Sequence, residues 1–301
     1  MYLDHNIVEE VLRKTTTIPT PTPLPTVVPT VPEVHYETLH DTGKRTLWVV
    51  CVLMGLSSVA FYAMAMRVPV QKRLFHILTA FITTFAFLSY FAMATGDGIG
   101  YHQYAVTETK QHIVTHIFNR QVFWARYVDW SLTTPLLLID LSLLAGLNGA
   151  SILVAVVADL IMVLTGLFAA FGHGDGQKWG WYAWACIAYL VIVYQIAQNG
   201  TRAVINKDQK TKRFFSLLAG FTLLLWTIYP IVWGVADGAR IVGVDAEIVA
   251  YAVLDILAKP VFGFWLLTTH DNMSRTSPTI EGFWSHGVSS EGTLRVGDDG
   301  D

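Results

Sequence analysis

Apolar residues in this chain gather into seven long blocks joined by short polar stretches, roughly 46–66, 74–95, 121–145, 149–171, 179–199, 214–236 and 247–269. Each block is about 20 residues, the length at which a helix rising about 1.5 Å per residue crosses the hydrocarbon core of a bilayer. Peptide groups in lipid must be satisfied within their own segment, so blocks of this kind are helices. The pattern predicts an all-α membrane protein, a seven-transmembrane-helix bundle over residues 45–270. Residues 1–44 are polar, and TTTIPTPTPLPTVVPTVP at 15–32 has a Pro/Thr composition that stays extended instead of packing, so a disordered tail is expected there. No apolar core of a signal peptide precedes it, and no cleavable signal of the usual form is expected. Residues 271–301 form a polar, Gly-rich second tail in which EGFWSHG at 281–287 is suited to rest on a membrane surface.

Composition agrees with this pattern. Of 301 residues, 53% are hydrophobic and 14% charged, and the mean hydropathy is +0.45, which excludes an ordinary soluble domain. The net charge is −3 with no basic domain, so no nucleic-acid partner is expected. Cys51 and Cys186 lie in different apolar blocks without metal-ligand spacing and read as small buried hydrophobes. Charge in the joints gives an orientation. Arg67, Lys72 and Arg73 lie between blocks one and two, and Arg202, Lys207, Lys210, Lys212 and Arg213 between five and six. The joint between six and seven is acidic, with Asp237, Asp245 and Glu247 against Arg240. The positive-inside rule then puts the amino terminus outside and the carboxyl terminus in the cytoplasm. The long 96–120 loop falls outside, and its His102, His112 and His116 lack metal-ligand spacing, so no metal is expected.

Three groups of residues carry candidate chemistry. Lys259 is the only lysine inside any apolar block, four residues after Asp255, so amine and carboxylate share a helical face. A charge at bilayer depth is costly, faces the bundle interior and has a partner. The chemistry open to such an amine is a Schiff base with an aldehyde cofactor, with Asp255 as counterion. Block three holds Arg126, Asp129, Thr133, Thr134 and Asp140. Asp129 and Asp140 are eleven residues apart, nearly the same azimuth and about 16 Å along the axis, so two carboxylates line one path at different depths. Read from spacing alone, Arg126 and Asp129 could instead be a neutralised pair that fixes helix packing, and Asp159 a protonated group bonded to a neighbouring helix. Trp226, Tyr229 and Trp233 recur at i, i+3, i+7 as a single stripe, either aromatic core or one wall of a slot for a long apolar ligand.

ARYVDWSLTTPLLLIDL, WTIYPIVWGVADGAR and YAVLDILAKPVFG together resemble the microbial (type 1) rhodopsins, over about residues 46–270. The flanking sequence is similar to the fungal branch, close to its proton-pumping members. The resemblance implies all-trans retinal bound to Lys259 as a protonated Schiff base, Asp129 as primary proton acceptor, Asp255 as second counterion and Arg126 as the arginine below them. It implies Asp140 as cytoplasmic proton donor with Thr79 bonded to it, and Tyr90 and Tyr229 beside Asp255. Trp130, Thr134, Met162, Trp181, Trp226 and Pro230 match chromophore-pocket positions, with Asp159 near the far end of the pocket and Thr133 counted among the contacts. Asp237 and Glu247 match the extracellular release pair, far enough apart to require bridging water. Pro260 departs from the bacteriorhodopsin pattern. The function so implied is a light-driven outward proton pump in the plasma membrane. Its partners are protons, internal water and the lipid bilayer; a homo-oligomer is admissible, and no chemical substrate is turned over, so it is not an enzyme. The rival is a slow photosensory rhodopsin signalling through a partner protein, which Asp140 disfavours. Asp129 likewise disfavours a chloride pump.

Overall fold

The computed structural model describes residues 34–109 and 113–271. Seven helices long and apolar enough to cross a membrane are present among them: α1 Asp41–Met66, α2 Leu74–Thr95, α3 Trp124–Ala145, α4 Gly149–Ala170, α5 Asp175–Ala203, α6 Gln209–Gly238 and α7 Val244–His270. Each packs on its neighbour in sequence, and α7 returns against α1, so the helices close into a ring with α3 also touching α6. The apolar residues that remain exposed lie on the outer faces. On α1 they include Val49, Val52, Leu56 and Val59, spaced at three and four residues as a lipid-facing stripe requires.

Ends of helices follow the sequence. Asn148 caps α4 by accepting from the Ser151 amide at 2.9 Å, and Gly146, with φ of 77°, closes α3 in the left-handed conformation that glycine adopts without strain. Asp208 caps α6, accepting from the amides of Lys210 and Thr211 at 3.1 Å each and from the Thr211 hydroxyl at 2.6 Å. Between helices, small polar groups join neighbours: Ser58 and Thr84 hydroxyls lie 2.6 Å apart across α1 and α2, and Ser89 donates to the Ala125 carbonyl at 3.0 Å. Bonds of this kind in membrane proteins contribute on the order of 0.6 kcal/mol each, so they fix register more than they supply stability.

Three helices contain a wider π turn: Tyr194–Gly200 in α5, Gly234–Gly238 in α6 and Leu257–Val261 in α7. The last contains Lys259 and Pro260. Proline has no N–H to give the ladder, and a π turn is where a helix absorbs that loss.

Two expectations are corrected at one end of the bundle. The 96–120 loop is a β-hairpin of β2 (Gly100–Thr109) and β3 (Ile113–Val122), which also takes residues 121 and 122 from the expected third span, so that α3 begins at Trp124. The segment expected to be disordered to residue 44 is ordered in its last part. There β1 (Val34–Glu37) pairs in parallel with β3, giving sheet order β1-β3-β2, and α1 begins at Asp41. The hairpin is rich in the Tyr, Val, Thr and Ile that favour strands, and the antiparallel register sets His102 opposite Arg120. Leu39 and His40 then tie the chain down through amide bonds to Gln121 Oε1 at 2.6 Å and Asp245 Oδ1 at 2.9 Å. The earlier tail, His112 and the 281–287 segment lie outside the described residues.

The Asp208 cap gives a pH-resolved test. Bonds from the Thr211 hydroxyl and then the Thr211 amide hold this carboxyl below its usual range. A depressed folded value means the cap's contribution is complete above the unfolded value of about 3.9 and is lost as pH falls through the folded one. Asp208→Ala should lower the protection of the Lys210 and Thr211 amides at neutral pH, whereas the unchanged chain should lose that protection only in acid below about pH 4; hydrogen–deuterium exchange, referred to the intrinsic rate at each pH, reads both.

Candidate functional site

Lys259 is 1% exposed at mid-depth in α7. Its Nζ donates to Asp129 Oδ2 on α3 at 2.5 Å and lies 3.2 Å from Asp255 Oδ1, one turn back on its own helix. The two carboxylates are held differently. Asp255 also accepts from Tyr90 at 2.6 Å on Oδ2 and from Tyr229 at 2.7 Å on Oδ1, so both its oxygens carry fixed donors from α2 and α6. Asp129 keeps Oδ1 without a protein partner. Asp255 is thus braced by two tyrosines and the amine, whereas Asp129 is held through one oxygen by Lys259.

Thr133 is fully buried one turn on, but its hydroxyl bonds the Asp129 backbone carbonyl at 2.9 Å and not the carboxylate. The pairing of Arg126 with Asp129 that spacing allowed is replaced. Arg126 donates to Glu247 on α7 at 2.7 Å, and its guanidinium lies 4.2 Å from the Tyr251 ring centre.

An apolar cavity opens from Lys259 between α3, α4, α5, α6 and α7. Trp130, Met162, Trp226, Tyr229 and Pro230 line it as expected, and Trp233 completes the stripe of α6. Trp181 does not line it. That indole packs 5.2 Å from the Phe168 ring, and the next residue, Tyr182, faces the cavity, with Cys186 and Tyr189 on the following turns. Tyr90 and Thr133 likewise stand behind the cavity wall and not on it, the first acting through Asp255.

Asp159 also lies off the lining, joined to it by Thr134. The Thr134 hydroxyl is 2.6 Å from the Trp130 carbonyl and 2.7 Å from Asp159 Oδ2. One hydroxyl has one proton, so Thr134 shares it between the Trp130 carbonyl and Asp159 Oδ2. The arrangement matches the inter-helix bond foreseen for Asp159.

Farther along α3, away from the sheet, Asp140 is fully buried among Leu137, Leu141 and Leu144. Thr79 of α2 is beside it, yet neither carboxyl oxygen of Asp140 nor Thr79 Oγ1 closes a hydrogen bond. Thr79 is nonetheless the hydroxyl close enough to act on the Asp140 carboxyl. At the opposite end, Asp237 and Glu247 are not left to water. Arg120 of β3 lies between them, with Nε 3.4 Å from Asp237 Oδ1 and Nη2 3.0 Å from Glu247 Oε2. No spacing rule could have found Arg120, because its place depends on strand pairing.

A model of the family described as bacteriorhodopsin-like protein matches residues 42–273. The chain belongs to the bacteriorhodopsin-like protein family. It is 52% identical over 297 residues to Opsin-1 of Neurospora crassa, a match covering 97% of this chain and 98% of that one. It is 40% identical over 232 residues to the opsin-like protein carO of Fusarium fujikuroi, covering 77% and 74% of the two chains. Among solved structures it is similar to the light-driven proton pump LR (Mac) from Leptosphaeria maculans, at 55% identity and a TM-score of 0.78 over 80% of this chain and 99% of that one. As a bacteriorhodopsin-like protein this chain is an integral, multi-pass membrane protein, and the family implies a retinal chromophore. The cavity fits that group, being aromatic, nearly free of polar lining and bordered by a buried amine.

The Thr134–Asp159 bond is testable apart from any chromophore. Thr134→Val should destabilise the bundle by about 1–3 kcal/mol by leaving a buried carboxyl unpaired, and adding Asp159→Leu should recover much of that loss. Thermal unfolding of the purified single and double variants in detergent checks it.

Proposed function

We propose that this chain is a light-driven outward proton pump of the plasma membrane, with the sheet end outside and the α7 carboxyl end in the cytoplasm. The observation that carries the reading is Lys259 Nζ held between Asp129 and Asp255 on the wall of the aromatic cavity, with Asp140 buried on the same helix as Asp129. Retinal bound covalently through Lys259 Nζ supplies light absorption and a change of shape at that nitrogen. Trp130, Trp226, Tyr229, Pro230 and Met162 hold the polyene and exclude water. Asp129 accepts the Lys259 proton through Oδ2, the oxygen that Nζ already contacts, while Asp255, braced by Tyr90 and Tyr229, stays a fixed negative charge. Asp140 holds the proton that later returns to the Lys259 nitrogen, because an unpaired carboxyl among leucines is far cheaper neutral than charged. Arg126 and Glu247 carry the change in charge toward the outside. Moving one charge against 100 mV costs about 2.3 kcal/mol, so the sequence of proton affinities, not any bond chemistry, sets direction.

The photosensor reading uses the same Lys259 site, and Asp140 speaks against it, since a donor in that position serves rapid turnover. Vesicles or cells containing the retinal-loaded protein should acidify the outside in light, and a protonophore should abolish the signal. Lys259→Ala should remove the visible band, Asp129→Asn should shift it to the red and stop transport, and Asp140→Asn should slow proton return strongly. Flash photolysis with a pH electrode measures all of these; a coloured protein whose cycle ignores Asp140→Asn and moves no protons sinks the proposal.

A further inference from the structure

Beyond the described site, one buried cluster has a cation that the mechanism does not use. Arg120 is 2% exposed on β3 and reaches three carboxylates at once: Asp237 at 3.4 Å, Glu247 at 3.0 Å and Glu37 of β1 at 3.1 Å, with the Val242 carbonyl at 3.2 Å. Arg126 approaches Glu247 from the bundle side at 2.7 Å. Asp237 and Glu247 are 7% and 2% exposed.

Two buried carboxyl groups facing one another cannot both ionise and share a proton instead. Here no hydrogen bond joins Asp237 to Glu247 among the described residues, and a planar guanidinium stands between them. A guanidinium keeps its charge at any relevant pH and matches carboxylates on two edges. Two guanidinium groups thus face two buried carboxylates, with Glu37 at the water-facing edge. We infer that Arg120 is a positioning residue that takes the place of a stored proton, so that the Asp237–Glu247 pair has none to release when Asp129 is protonated, and the proton leaves only late in the cycle, by way of Glu37.

The surrounding groups agree. Tyr104 donates to Glu37 Oε1 at 2.9 Å, and burial first, then that bond, pushes its hydroxyl up to about 12, so it remains a donor. His102, opposite Arg120 across the sheet, is pushed down by burial and then by Arg240, which keeps it neutral. Arg240 lies 3.7 Å from the Tyr104 ring centre, Tyr127 accepts from Trp233 at 2.8 Å, and Tyr251 lies against Arg126. None of these offers an alternative acid near the pair.

This inference rests on the pump reading, and the experiment separates the two. Retinal-loaded protein in vesicles is flashed with a pH-indicating dye outside and inside, while the visible band and net acidification report on the pump itself. The unchanged chain and Arg120→Lys should take up a proton before releasing one. Arg120→Gln, provided its visible band is retained, should reverse that order, with release coinciding with Asp129 protonation. Early release in the unchanged chain, or an unreversed order in coloured Arg120→Gln, overturns the inference while leaving pumping intact. Should Arg120→Gln not fold, infrared difference spectra of the unchanged protein decide. Loss of a protonated-carboxyl band or of a shared-proton continuum while Asp129 gains its proton overturns the inference, and the absence of both supports it.

Discussion

An ammonium group in the middle of a membrane bundle is tolerable only when negative charge meets it at contact distance, and the contact of Lys259 with Asp129 and Asp255 meets that demand. Removing one partner from a buried ion pair costs about 3–5 kcal/mol, which is a large share of a domain's net stability. The bundle is therefore built to hold three helices at fixed separations around one nitrogen: α3 through Asp129, α2 through Tyr90 and α6 through Tyr229, the last two acting on Asp255. The two carboxylates differ in their donors: Asp255 is braced by two tyrosines, and Asp129 is held by Lys259.

From that nitrogen toward the sheet, charges are spaced as a chain. Arg126 follows the aspartates, Glu247 follows Arg126, and Arg120 follows Glu247 before Asp237 and Glu37 end the series near water. A change of charge at one member alters the attraction felt by the next, so no single group has to travel far. The opposite direction is built of different material. Around Asp140 there are leucines, with Thr79 as the nearby hydroxyl.

Much of this was legible in the chain because it is local. Hydrophobic blocks gave the seven helices, i, i+4 spacing joined Asp255 to Lys259, and i, i+3, i+7 spacing gave the wall of Trp226, Tyr229 and Trp233. What was missed depends on tertiary register. Arg126 has a carboxylate three residues away in sequence, yet its partner is Glu247, 121 residues on. Trp181 and Tyr182 are adjacent aromatics about 100° apart on a helix, and only the packing of α5 decides which one faces inward. Arg120 required the pairing of β3 with β1 and β2, and the parallel strand β1 comes from a segment whose neighbours upstream are Pro-rich and which gave no strand signal of its own.

The π turns have a mechanical consequence. They occur in α5, α6 and α7, at the end away from the sheet, at the sheet end and at mid-depth respectively, whereas α1 to α4 are wound regularly throughout. A widened turn loosens the ladder locally and is where a helix bends or rotates most cheaply. Compliance in this ring is thus lopsided: one half is a stiff cradle, and the half that carries the reactive lysine is the one able to flex around it.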